Sequence, residues 1–168
     1  AGSEQRKIGD LYASFMDTDR IESLGATPIA EQLARVDGVD GIPSLLRTVG
    51  ELEREGVGGM IASYIEPDPG DPQRYVVFAL QGGLSLPDES YYRLDNFDAT
   101  RTAFRAFVQR MLALAGVADA DAQADRVMAL ETELAGHHWD NVRSRDAVAT
   151  YNLMSWADVN ALVGVDLD

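Results

Sequence analysis

Two adjacent histidines are the first candidates for metal chemistry in this chain, which has no other histidine and no cysteine. A helical zinc site of the HExxH type needs two histidines four residues apart, so that both rings lie on one helix face. His137 and His138 are neighbours, and on a helix they would point about 100° apart. Glu133 and His137 have the four-residue spacing, but they provide only one carboxylate and one imidazole. A metal held by all three, with carboxylates from elsewhere, would need ligands from different helix faces, so we predict no metal site.

Acidic and glycine-rich segments are the other candidates. Glu51, Glu53 and Glu55 alternate along a helical pattern, which is typical of a solvated face. The segment EPDPGD, residues 66–71, lacks the spacing of an EF-hand loop and predicts a turn. The glycine-rich run 56–59 follows a helix and precedes a strand, whereas phosphate-binding loops have the reverse order. We therefore predict no cofactor site and no catalytic residue in this chain.

The composition excludes several classes of function. The net charge of −14 argues against nucleic-acid binding, which needs a basic face. The absence of cysteine excludes disulfides, thiolate metal sites and cysteine catalysis. No run approaches the ~20 apolar residues of a membrane span, and no signal peptide is visible. We expect one domain, long enough for a core of its own to be possible, and the sequence leaves the compartment open, cytoplasmic or secreted.

The elements that would position these residues follow from periodicity. Apolar residues at helical spacing predict helices with these bounds: 4–17; a short helix capped by Thr18 or Asp19 and ended by Gly25; one from Pro28; one from 41–43 to about Gly56; 97–116; one from Asp119 or Asp121 to about Val142; and 156–163, capped by Ser155. Two β-rich runs, 60–65 and 74–80, predict a hairpin with a longer-than-minimal turn. The predicted fold class is mainly α, a multi-helix domain with one β-hairpin.

Three ordered motifs resemble the N-terminal region of the neprilysin-like zinc metallopeptidases, family M13. They are IGDLYASFMDTDRIESLGATPI at 8–29, FALQGGLSLPDESYY at 78–92 and VRSRDAVATYNLMSWADV at 142–159. The family shows an LYxSCMD-like helix followed by IE, then a Q-x-GL-x-LP-x-x-x-YY stretch, then RD and YN-x-M. The resemblance covers nearly the whole of residues 1–168, which we expect to form a single domain.

This resemblance implies a role without chemistry. In the family, a C-terminal lobe binds zinc through HExxH and a downstream glutamate, and another, helical lobe caps a chamber that admits peptides of modest size. The chain would be most of that cap, truncated from a longer polypeptide whose catalytic domain is its partner. It would restrict the access of peptide substrates and be inactive alone, with zinc present only in the parent enzyme.

The chain also departs from the family pattern. Phe15 stands where the animal enzymes have a disulfide cysteine, which suggests a bacterial version. Ala13 stands where the family's name-giving enzyme has an arginine for the substrate's terminal carboxylate, which favours endopeptidase action. The run from Val159 to Leu162 is only superficially similar to the family's N-A-Y-Y motif, because the aromatic pair is missing.

The stretch QGGLSLPDESYY, residues 81–92, resembles the family's link between hairpin and long helix. The expectation is a structural clasp in which Leu84, Leu86, Tyr91 and Tyr92 pack together, with direct substrate contact as the alternative. In the clasp, Pro87 would fix the backbone, Asp88 would cap a helical turn, and Gly82 and Gly83 would supply unusual torsions.

For the chain as a whole, the alternative to a peptidase cap is a stand-alone, non-enzymatic helical protein-interaction module.

Overall fold

The structure, a computed structural model, describes residues 2–165. The chain is mainly α-helical with one antiparallel hairpin, as predicted. The elements are α1 (Glu4–Met16), α2 (Thr18–Leu24), α3 (Ala30–Asp37), α4 (Ile42–Arg54), β1 (Ile61–Asp68), β2 (Asp71–Gln81), α5 (Ser90–Arg93), α6 (Asp98–Leu114), α7 (Ala120–His137) and α8 (Trp156–Val163). Short 3-10 turns lie at Thr27–Ile29, Asp95–Phe97 and Arg143–Arg145.

Side-chain caps begin three of the helices. Ser3 accepts a hydrogen bond from the amide of Arg6 at the start of α1. The Ser155 hydroxyl accepts a hydrogen bond from the Asp158 amide at 3.2 Å and so caps α8, as predicted. The cap of α2 is Asp17, whose carboxylate accepts a hydrogen bond from the Arg20 amide at 3.0 Å. The prediction of Thr18 or Asp19 as the cap was therefore wrong by one or two residues. A shift of this size is expected, since neighbouring Asp and Thr residues are all competent caps.

The hairpin is longer, and its turn tighter, than the sequence predicted. Pairing continues from Ile61–Gln81 to Asp68–Asp71, so only Pro69 and Gly70 connect the strands. The prolines at 67 and 72 suggested a loop, but they lie near the end of a two-stranded sheet, where strand proline is tolerated. Tyr64 and Phe78 are paired across the strands, with their rings stacked at 5.0 Å between centroids.

Helix α7 ends at His137, five residues before the predicted end at Val142. His138 is extended, and the next residue is bound by the hairpin instead of the helix. The Gln81 side chain donates to the carbonyl of Trp139 and accepts from its amide, both at 2.9 Å. These two hydrogen bonds replace the helical ones that a longer α7 would make, which sequence periodicity does not reveal.

The core that the chain length would allow is not formed among the described residues. Among the described residues, the buried hydrophobic residues are Tyr92, Ala124 and Ala135, all in α5 and α7. The accessible surface is 12746 Å², against roughly 8,100 Å² for a compact monomer of this mass. Helices α5, α6 and α7 pack together, and α3 packs on α4, but the elements do not enclose one common core.

Apolar faces are therefore exposed along the chain. The α1 stripe that periodicity predicted is present, but Leu11 and Phe15 are 72% and 76% exposed. On the hairpin, Ile65, Tyr75 and Val77 are about two-thirds exposed. None of the described helices combines the length and the apolar character that a membrane crossing requires.

The connector after α7 fastens the hairpin at both ends. At the base, Trp139 is bound to Gln81, as described above. At the tip, the Tyr151 hydroxyl donates to the Asp68 carboxylate at 2.8 Å. Asp68 also accepts from the Gly70 amide at 2.7 Å and from Arg74, and it is fully buried. A Cβ at position 70 would collide with the Tyr151 hydroxyl, so glycine permits this close contact.

The ionisation of Asp68 is predicted to control the stability of the hairpin tip. The Gly70 amide, with Arg74 and Tyr151, holds the pKa of Asp68 below its ordinary value, although burial opposes this. A lowered folded-state pKa stabilises the fold above the unfolded pKa of about 3.9, and this contribution is lost as pH falls through the folded value. We expect Asp68→Asn to accelerate amide hydrogen exchange in the hairpin at pH 6, and the difference from wild type to vanish at acid pH.

The matched control is Asp71→Asn, because Asp71 is exposed and accepts one local hydrogen bond from Gln73 at 3.2 Å. This variant should exchange like wild type at both pH values. An Asp68→Asn effect of equal size at all pH values would contradict the prediction.

Candidate functional site

The residues considered for metal binding are not brought together. His137 lies 3.4 Å from Glu133, and both side chains are exposed to solvent. The His138 ring instead faces the carbonyl of Gly82, with Nε2 at 3.1 Å. Over residues 2–165, there is no group of three or more His, Cys, Asp or Glu side chains that could hold a metal ion. The absence of site residues in the whole chain stays a prediction.

An open groove of about 1170 Å³ lies between α4, the start of β1 and α7. The glycine-rich run 56–59 is a connector, as predicted, and forms one wall. Most of the lining is apolar, and its larger side chains are Leu45, Val49, Met60, Ile61, Leu84, Val127, Leu130 and Leu134. The polar lining includes Glu53 and Glu131.

Glu131 fastens the segment QGGLSLPDESYY to helix α7. Its carboxylate is buried and accepts hydrogen bonds from the Ser85 amide at 3.0 Å and the Ser85 hydroxyl at 2.8 Å. The Tyr92 hydroxyl also donates to Glu131, and it accepts from the Leu86 amide at 3.0 Å. The observed clasp consists of Ser85, Leu86, Tyr92 and Glu131, and it shares only Leu86 and Tyr92 with the predicted set.

The Tyr92 hydroxyl of the clasp is suited to donating a fixed hydrogen bond rather than to transferring its proton. Burial, followed by the hydrogen bond to Glu131, raises the pKa of Tyr92 to about 12. A phenol with this pKa stays protonated at neutral pH and is a poor general acid or base. Since Glu131 already accepts three hydrogen bonds, the arrangement is a structural support.

The other residues predicted for the segment also take structural positions. Tyr91 stacks on Phe97 with 4.0 Å between ring centroids. Asp88 accepts from the Ser90 amide at 2.9 Å at the start of α5, and from the Asn141 side chain at 2.7 Å. Gly83 has a positive φ of 84° and passes close to Met60, so a side chain there would be strained. These contacts support a structural role for the segment, whereas the packing of Leu84, Leu86, Tyr91 and Tyr92 on one another and direct substrate contact stay predictions.

Glu51 and Glu55 are exposed, as the predicted solvated face requires, whereas Glu53 is half-buried, and Glu55 lies just after the end of α4. Glu55 accepts from Arg35 at 2.7 Å and from Gln32 at 3.4 Å, and so connects α4 to α3. The hydrogen bond from Arg35 lowers the pKa of Glu55. Glu53 lines the groove. The alternation in sequence could not reveal these contacts, because the partners come from another helix.

Sequence reasoning missed Glu131 and Asp68. Glu131 had a usable signal: it lies four residues after Val127 and three before Leu134, so it interrupts an apolar helix face. Asp68 lay inside a turn rich in acidic residues, where nothing distinguished it from Asp71. Only the contact with Tyr151, 83 residues further along, marks it.

Comparison with known proteins identifies similar chains. The N-terminal model described as Peptidase family M13 matches residues 1–168. Among curated relatives, endothelin-converting enzyme-like 1 of Mus musculus is 28% identical, with 96% of this chain and 23% of that protein covered. Endothelin-converting enzyme 1 of Homo sapiens is 25% identical, over 94% of this chain and 22% of that protein.

Solved structures of the Mycobacterium tuberculosis zinc metalloprotease Zmp1 are also similar. The open state is 42% identical, with a TM-score of 0.86 over 95% of this chain and 25% of that one. The complex with inhibitor is 40% identical, with a TM-score of 0.89 over 98% of this chain and 26% of that one. The chain thus spans about a quarter of the length of the relatives it matches.

We predict that Tyr92→Phe destabilises the clasp. The substitution leaves the Leu86 amide without its acceptor and removes one of three donors from Glu131. The loss of a buried hydrogen-bond partner costs about 1–3 kcal/mol. Hydrogen exchange of the amides of 85–92 in the protein, wild type against variant, measures this loss.

The matched control is Tyr91→Phe. Within the part of the chain that the structure describes, the Tyr91 hydroxyl makes no hydrogen bond, and its ring stacking is retained by Phe. Equal effects of the two substitutions would contradict the assignment of the clasp.

Proposed function

The chain belongs to peptidase family M13, and from this premise we propose that it forms the helical part that caps the chamber of a zinc metalloendopeptidase. In this proposal residues 1–168 form a single domain of a longer polypeptide, and the catalytic part of that polypeptide is the partner. The domain restricts the access of peptide substrates and performs no chemistry. In the same proposal, zinc and the catalytic groups belong to the remainder of the polypeptide.

The observation that carries the proposal is the exposed surface. The accessible area of 12746 Å² exceeds by more than half the value of roughly 8,100 Å² expected for a compact monomer of this mass. Apolar faces of this extent mark contact with other protein rather than with water. The N-terminal family match and the coverage of only about a quarter of each relative support a large partner within the same polypeptide.

The hydrogen bonds that fasten the hairpin and the clasp support a gating role more than a binding module. The clasp and the two ties of the hairpin fix loops that a recognition surface would usually leave adaptable. Ala13 lies exposed on α1, and no arginine there is available to anchor a substrate carboxylate. We therefore propose endopeptidase action by the whole protein, without a requirement for a free carboxyl terminus.

The first test is peptide cleavage with added zinc. We expect the full-length protein to cleave peptides of modest size and to lose activity with a chelator, and the isolated chain to be inactive. The substrates are a peptide and the same peptide amidated at its carboxyl terminus, which should be cleaved equally. Specific zinc-dependent cleavage by the isolated chain would refute the non-catalytic role, and an inactive full-length protein would favour the interaction module.

A second test concerns the exposed apolar faces. If the remainder of the polypeptide covers them, the isolated chain should bind a hydrophobic dye and self-associate with rising concentration, whereas the full-length protein should do neither. Dye fluorescence and light scattering at matched molar concentration measure this. A monomeric isolated chain with no dye binding would contradict the proposal that another part of the protein covers it.

A further inference from the structure

The hairpin has a free outer edge along β1. The sheet has two strands, so each strand pairs on one side only. The Gly82 amide donates to the Met60 carbonyl at 3.1 Å, which makes that pair a hydrogen-bonded one. Hydrogen-bonded and non-hydrogen-bonded pairs alternate in an antiparallel ladder. The backbone groups of Ile61, Ser63 and Ile65 therefore point away from β2.

The groove adjoins this edge. Its lining includes four consecutive residues, Met60, Ile61, Ala62 and Ser63, together with Gly82 and Gly83 opposite the start of β1, whereas no residue of β2 itself lines it. Consecutive strand residues face opposite sides of a sheet. A groove that touches them all therefore runs beside the strand rather than over one face. On its far side, the α7 residues Leu130 and Leu134 offer apolar contacts.

The edge lacks the features that keep exposed strands from pairing. Exposed edges are normally protected by lysine, proline, a bulge or an inward charge. From Ile61 to Ile65 the sequence is IASYI, with none of these. The proline at position 67 and the irregular register beside Asp68 come only at the tip. The unprotected length is five residues, close to that of a typical strand.

We propose that the outer edge of β1, from Ile61 to Ile65, is paired with a third strand supplied by the part of the M13 polypeptide outside this chain. The incoming segment is extended and apolar on alternate residues, and its side chains fill the groove against Leu130 and Leu134. This inference rests on the proposed function, since it requires a longer polypeptide.

The surface area favours this occupant over a peptide substrate or a second copy. The exposed area exceeds the compact value by roughly 4,600 Å². One partner covers only about 800 Å² in a standard protein interface and roughly 1,000–2,500 Å² in a large obligate one. About three-quarters of each relative's length lies outside the matched region, which is enough chain to cover the excess.

Hydrogen exchange in the full-length wild-type protein tests the pairing directly. The amides of Ile61, Ser63 and Ile65 should exchange at least about 100-fold more slowly than the outward amides of Val77 and Ala79 on β2. Equal rates at the two edges would overturn the proposal. Protection that appears only with added peptide substrate, or only at high protein concentration, would also overturn it and would assign the edge to a substrate or a second copy.

Two proline variants provide a matched pair. Ser63 and Ala79 are opposite each other, and both amides point away from the hairpin ladder. Ser63→Pro removes a donor to the third strand, while Ala79→Pro removes only a donor to solvent. Ser63→Pro should abolish the protection of Ile61 and Ile65 and lower the melting temperature more than Ala79→Pro does. Identical behaviour of the two variants would refute the pairing.

Zinc-dependent peptide cleavage is measured on the same wild-type preparation, so that the two proposals fail separately. An active enzyme with an unprotected β1 edge would refute only the third strand. A protein with a protected edge and no peptidase activity would retain the strand and refute the peptidase.

Discussion

Two buried carboxylates determine how this chain is arranged. Glu131 holds the segment before α5 against α7 through Ser85 and Tyr92. Asp68 holds the hairpin tip against the connector that follows α7, through Tyr151. Because few apolar side chains are buried among the described residues, these polar contacts do the positioning that a hydrophobic core does in an ordinary domain.

Such contacts specify geometry more than they stabilise it. A hydrogen bond to a charged group contributes about 1.5–3 kcal/mol, whereas ordering each residue costs about 1–2 kcal/mol. A few carboxylates cannot offset the ordering of a whole chain. The apolar area exposed on α1, α4 and the hairpin would offset that cost once another part of the protein covers it. The clasp and the hairpin ties would then keep these faces in the orientation that docking needs.

These directional contacts fit the cap role proposed above. Hydrogen bonds with fixed directions preserve shape over short distances. The groove beside β1 adds an apolar contact at the base of the same hairpin. The ties of the hairpin involve Asp68 and Gln81, whereas the proposed edge lies between them on β1, from Ile61 to Ile65.

The sequence by itself determined the helices, the hairpin and the family. Periodicity located α1, α6 and α8 to within two residues, because local apolar spacing is sufficient to identify an amphipathic helix. The three motifs were read from order and residue type, which need no coordinates. Local patterns were insufficient at two places. The prolines near the turn led to a prediction of strands that end too early, although β1 continues to Asp68 and β2 begins at Asp71. The predicted α7 was also too long at its carboxyl end.

Only the tertiary structure decided what those elements contact. The role of Asp68 depends on Tyr151, and the end of α7 depends on Gln81, 58 residues from Trp139. The apolar stripe of α1 predicted a buried face, yet in this chain it is open. Amphipathicity shows that a face will be covered, whereas the identity of the cover depends on contacts distant in sequence, or on residues beyond the chain itself.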